Sequence, residues 1–275
     1  MSESAKPPRR KVKWFRKSLV IPTEHGAWSW MLVPYFVGLL VAGQMNLQAM
    51  LVLVGGLSAY FVRQPMTAWM RIRSGRGRKS DGPIAAGWAI AFSVVAISCL
   101  IGLLASGLTD LALLALPMVG LFIGYLAAAR QKRSSMLRLG MEVAGAAGLA
   151  FMAPAAYIAS AGQLDSVAWW LWLLMAGQNV LGVIYVRLRI ADTHQRSISR
   201  SLVVGLHILV LAGLAAAAAT GRIPLLAVLP FVGFLFRALW AVRQVRPVNN
   251  IKRFGFTEIG VEILGGLIIA MSWLV

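Results

Sequence analysis

The sequence predicts an all-α fold, a polytopic membrane helical bundle of about nine transmembrane helices, and three observations carry that prediction. Hydrophobic side chains make up 59% of the 275 residues and charged ones only 13%, far from the balance of a soluble domain. Apolar runs recur along the whole chain, each close to the roughly 20 residues that cross about 30 Å of hydrocarbon. The charge is asymmetric: of the 27 Lys and Arg residues, all but Arg222 fall on one side once Arg63 and Arg237 are counted with the basic end they approach.

Residues 1–20 open the chain as a basic arm, with Trp14 and Phe15 resting among lipid head groups. The stretch KPPRRKVKWFRK resembles the n-region of a signal peptide. The apolar run behind it is too long for that, and the alternation of basic loops needs it as a retained first span. Residues 21–275 are expected to form a single transmembrane domain with spans at about 22–43, 47–69, 83–106, 110–129, 139–162, 165–188, 201–220, 223–243 and 256–275.

Span one begins with Thr23, Glu24 and His25. Span two ends in a polar stripe of Tyr60, Arg63, Gln64, Thr67 and Arg71, three- and four-residue steps that share one helix face. Span three holds the lone Cys99, read as a small apolar residue. Spans four and five carry Gly120/Gly124 and Gly145/Gly148, small-residue pairs that let membrane helices approach closely. Span six ends in a second stripe, Gln178, Gly182, Tyr185, Arg189 and Asp192. His207 and Arg237 lie in spans seven and eight, and Glu258 and Glu262 open span nine. Glu24 with Pro34 and Tyr35, set beside Glu142 with Pro154 and Tyr157, suggests a loose four-plus-four repeat with one helix over.

The connections 70–82, 130–138, 187–200 and 243–253 are basic, whereas 44–46, 107–109, 163–164 and 221–222 are short and hold only Arg222. The positive-inside rule then places the amino terminus in the cytosol and the carboxyl terminus outside, which requires an odd number of spans. The net charge of +18 is explained by this asymmetry and by anionic lipid head groups, with no need for a nucleic-acid partner.

Ionisable groups within spans cost about 2.5–3.5 kcal/mol at the centre on insertion scales, so those present should face protein or water. Most lie within two turns of the basic end, where they would converge on a polar cavity. Glu24 and His25 are the candidate acid–base pair, the imidazole adding a group that titrates near neutral pH. Arg63, Arg187 and Arg189, with Gln64, Tyr185 and Asp192, are the candidate substrate-binding residues, since guanidinium groups grip phosphate or carboxylate bidentately. Simpler explanations compete. A glutamate at a helix start is stabilised by the helix dipole, Thr23 or Thr257 can cap, and Arg138 can pair with Glu142. Arg187 and Arg189 can snorkel to the head groups. No phosphate-binding Gly loop, Walker sequence or zinc motif occurs, and neither a metal nor a cofactor is expected.

The stretches IPTEHGAWSWMLVPYFVGLL and VRQPMTAW resemble the YwiC-like family of bacterial membrane proteins, most distinctively over Glu24 to Trp28. More distantly the chain resembles the UbiA superfamily of intramembrane prenyltransferases. That likeness implies nine helices in a four-plus-four-plus-one arrangement, with acidic motifs on helices two and six holding Mg²⁺ and an isoprenoid diphosphate. The chain departs from that pattern. YVRLRIADT offers Tyr185 but Arg189 and Thr193 at the acidic positions, with Asp192 one place away, and RQPMTAWMRIR contains no acid. The expectation is a multi-pass protein of the bacterial cytoplasmic membrane, a lipid-handling or degenerate prenyltransferase-like enzyme that binds an isoprenoid or other anionic lipid. A non-catalytic lipid or anion carrier and a membrane scaffold are the alternatives.

Overall fold

The computed structural model describes residues 14–22, 28–128, 135–245 and 247–275. Glu24 and His25 lie outside the described residues. Every described element is helical: α1 Lys17–Val20, α2 Ser29–Ala42, α3 Leu47–Arg73, α4 Gly82–Ala105, α5 Asp110–Ala128, α6 Ser135–Leu149, α7 Met152–Ala161, α8 Ser166–Thr193, α9 Arg200–Ala219, α10 Leu229–Arg243 and α11 Ile251–Met271. Eight of the described helical stretches are long and apolar enough to cross a membrane, with α6 and α7 together forming one of them; α2 is a shorter apolar helix. The chain is a multi-pass membrane protein.

Helix starts follow the side chains that satisfy their orphan amides. Asn46 accepts from the Ala49 amide, Asp165 from Ala168, Ser199 from Leu202 and Asn250 from Arg253. The last of these starts α11 five residues before the sequence expectation. Prolines shape the interior. Pro154 offers no amide to the Ala150 carbonyl, and the chain breaks between α6 and α7, where Ala153 N donates to Ala150 O at 3.0 Å instead. Pro34 leaves the Trp30 carbonyl without its usual donor in α2. The fully buried Asn179 of α8 replaces it, its Nδ2 donating to Trp30 O at 2.9 Å and to Ala146 O at 3.0 Å.

The helices α2, α7, α8 and α11 meet in the centre, α3 runs along α4, and α9 packs on α10. Gly38 is the closest approach: a Cβ there would stand 2.0 Å from the Ala153 carbonyl oxygen, so only glycine lets α2 and α7 touch. Cys99 packs against Gly55, in keeping with its reading as a small residue. The small-residue pairs behave differently from expectation. Gly148 meets Leu121 and Met118, but Gly120, Gly124 and Gly145 have nothing within 4 Å of an added Cβ.

The end of the basic arm is docked. Phe15 meets Trp88 edge-on at 6.0 Å, Trp14 O accepts from Trp88 Nε1, Arg16 pairs with Asp81, and Val20 is buried. Gln64 Nε2 donates to Ser18 O at 2.8 Å, tying α1 to α3.

Candidate functional site

A cavity of about 1970 Å³ opens between α3, α4, α5, α6, α8 and α11. Its two ends differ in chemistry. Toward the non-basic ends of the helices its wall is Leu51, Leu100, Leu111, Leu114, Met118 and Phe122. Toward the basic ends it carries Arg63, Arg138, Arg187, Arg196, Arg237 and Lys252 against Glu142, Glu258 and Glu262, six cations to three carboxylates among the described residues.

Two ion pairs stand at matching depth. Arg187 of α8 donates to Glu142 of α6 at 2.8 Å, and Arg237 of α10 donates to Glu258 of α11 at 2.8 Å. Both glutamates were expected in the first turn of their helices, held by the dipole. Both helices begin earlier, at Ser135 and Ile251, so each carboxylate lies two turns in, beyond the reach of that effect. A cation from a neighbouring helix holds each instead. Thr257 does not cap α11; its hydroxyl donates back to Arg253 O. Hydropathy placed both starts late because Arg138, Lys252 and Arg253 lower the average while the helix continues through them.

Arg63 lies deeper, ten residues from the end of α3 at Arg73, or about 15 Å of helical rise. Its guanidinium carbon is 5.0 Å from the Tyr125 ring centroid and 5.6 Å from that of Tyr60. At comparable depth on α11 is Glu262, only 6% exposed, whose Oε2 accepts the Ser29 hydroxyl at 2.6 Å.

Of the candidate substrate-binding residues the structure brings Arg63 and Arg187 into this cavity, while Gln64, Tyr185, Arg189 and Asp192 do not line it; the acid–base candidates Glu24 and His25 lie outside the described residues. Arg187 and Arg189 are two residues apart on α8 and so point in different directions. Arg189 reaches Tyr185 Oη at 3.4 Å and lies 5.9 Å from the Phe254 ring. Tyr185 is buried, with the Arg237 guanidinium 3.9 Å above its ring, and serves as a floor for the Arg237–Glu258 pair. Asp192 is paired with Arg200, which also donates to the carbonyls of Ala241 and Val242, so it fastens α8 to α9 and α10. Gln64 serves the α1 contact described above. Of the α8 stripe only Gln178 and Gly182 line the cavity. The lining residues Arg138, Arg196 and Lys252 were not singled out as binding residues, and nothing in their spacing separates them from loop cations.

No group of three or more His, Cys, Asp or Glu among the described residues is arranged to hold a metal ion. Residues 21–157 match the family model for the YwiC-like protein. The chain belongs to the YwiC-like family. No curated protein and no solved structure matches it. The YwiC-like match covers Arg63 and Glu142 and ends before Arg187, Arg237, Glu258 and Glu262, so the cavity is built from the matched segment and the helices after it.

Proposed function

We propose that this YwiC-like protein is a lipid-handling protein that takes up an amphiphile with an anionic head group from the cytosolic leaflet of a bacterial cell membrane. The observation that carries this reading is a cavity whose apolar wall runs into an end with twice as many cations as carboxylates among the described residues. Acyl or isoprenoid chains fit the first part, and a phosphate or diphosphate fits the second. Arg63 and Arg187 contact the anion directly, with Arg138, Arg196 and Lys252 adding positive potential at the entrance. Residues 63–73 contain no carboxylate, which favours direct guanidinium binding over a metal-bridged diphosphate. The positive-inside asymmetry supports a cytosolic position for this end. Glu24 and His25 are the acid–base candidates if the bound lipid is also turned over.

The test is mass spectrometry of the lipids that co-purify with detergent-solubilised wild type and with the Arg63→Ala/Arg187→Ala variant of unchanged thermal stability. An anionic amphiphile enriched only with wild type is the expected result. An identical lipid set in both overturns the reading and favours a scaffold. Turnover is read separately, as a modified lipid formed by wild type and lost in Glu24→Gln or His25→Ala.

A further inference from the structure

Glu262 has no role in the anion site. Its Oε2 accepts the Ser29 hydroxyl, while its Oε1 has no hydrogen-bond partner among the described residues. No described cation lies within ion-pair distance: the neighbouring Arg237 is committed to Glu258, one turn toward the basic end. Across the same wall Gln178 is 3% exposed; its Nε2 donates to the Glu262 carbonyl at 2.8 Å, and its Oε1 is likewise without a partner. That oxygen has room because position 265 is glycine, where a Cβ would come within 2.6 Å of it. Two buried acceptors therefore line the cavity, and no donor among the described residues reaches them. A buried carboxylate and a buried amide oxygen left open in this way are costly unless a ligand supplies the donors.

The missing complement is a hydrogen-bond donor that is also positive. A primary ammonium carries three N–H donors and one charge and answers both oxygens. Glu262 lies eleven residues along α11 from Ile251, about 16 Å of helical rise, at a depth like that of Arg63. The Arg63 guanidinium and the acceptor pair thus line one cavity. We propose that Glu262, with Gln178, is the recognition site for the primary amine of a zwitterionic phospholipid whose phosphate is held by Arg63. The inference rests on the proposed amphiphile-binding function and narrows its ligand from any lipid with a phosphate-type anionic group to one that also bears an ammonium group.

The experiment titrates the delipidated full-length protein in detergent with dioleoyl-phosphatidylethanolamine, its N-methylated series through phosphatidylcholine, and dioleoyl-phosphatidylglycerol, with bound lipid read by native mass spectrometry. Wild type is expected to bind the ethanolamine lipid about tenfold more tightly than the glycerol lipid, the worth of one charge-assisted hydrogen bond. Affinity should fall stepwise as methyl groups replace the N–H donors. Glu262→Gln should bring the ethanolamine lipid to within about twofold of the glycerol lipid and leave binding of the latter unchanged, which also shows that the variant is folded. Soluble phosphoethanolamine should not displace the lipid, since it lacks the chains that the apolar wall receives. Equal binding of ethanolamine and choline lipids by wild type overturns the amine site, as does a Glu262→Gln variant that keeps the preference; in both cases binding that still depends on Arg63 leaves the amphiphile reading standing. If no phospholipid binds at any concentration, the amine site is overturned, and the amphiphile reading is decided by the co-purification test above.

Discussion

Replacing Asn179 by Ala removes the amide that takes the place of a backbone donor lost to Pro34. Asn179 is fully buried and bridges Trp30 O of α2 and Ala146 O of α6. Ala146 O keeps a second donor, the Ala150 amide at 3.4 Å, so its loss is partial. Trp30 O has no amide at position 34 to fall back on. Interhelical hydrogen bonds in membrane proteins average about 0.6 kcal/mol and reach about 1.7. A carbonyl left unsatisfied adds about 1–3 kcal/mol. The variant should therefore lose about 2–3 kcal/mol in reversible unfolding from mixed detergent micelles. The decisive measurement repeats it in a Pro34→Ala background, where residue 34 can donate to Trp30 O within α2. There Asn179→Ala should cost about 1 kcal/mol less, the sign of two groups serving one acceptor. Equal costs in the two backgrounds, within about 0.3 kcal/mol, would refute the substitution of side chain for backbone donor.

Two further outcomes can be checked on the same unfolding curves and a third by amide exchange. Arg237→Leu strands Glu258, whose side chain is 16% exposed, and should cost about 3 kcal/mol; Arg187→Leu faces a Glu142 side chain that is 50% exposed and should cost less than about 1 kcal/mol. Gly38→Ala forces a methyl group into the Ala153 carbonyl and should destabilise by at least about 1–3 kcal/mol, whereas Gly120→Ala, with nothing within 4 Å, should be neutral or stabilising by up to about 1 kcal/mol. Asp192→Asn weakens the pair with Arg200 at a side chain only 3% exposed and should loosen α9 from α8, seen as faster amide exchange over the first turns of α9 with little change in α3.

The helices were legible because hydropathy responds to about 20 residues at once, and errors at one or two positions do not move it. Their ends were less legible for the same reason: the first turns of α6 and α11 carry cations that an average over a window counts as loop. Asn250 was the local signal for the start of α11, since an amide side chain before Ile251 caps whatever the mean hydropathy says. The break before α7 had a local signal as well, in Pro154. The fourteen residues of α2 fall short of the expected first span, most of whose remainder, 23–27, lies outside the described residues.

The site was legible to a different degree, and α8 explains why. A step of three or four residues tells which side chains share a face; it does not tell which neighbour that face meets. Gln178, Gly182, Tyr185, Arg189 and Asp192 do run in such steps, but a stripe over four turns drifts around a helix, and the helices beside α8 change along its length. Near Gln178 the stripe meets α11 and the cavity; near Asp192 it meets Arg200, which itself donates to the backbone of α10. Arg187, off the stripe, reaches the cavity because Glu142 of α6 draws it there. In a bilayer the charged groups reveal this arrangement, because each needs a partner that no lipid chain supplies. Glu142 takes Arg187, Glu258 takes Arg237 and Asp192 takes Arg200, which leaves Glu262 as the buried carboxylate without a cation among the described residues. That exception makes its wall of the cavity the place to look for a ligand that brings its own charge.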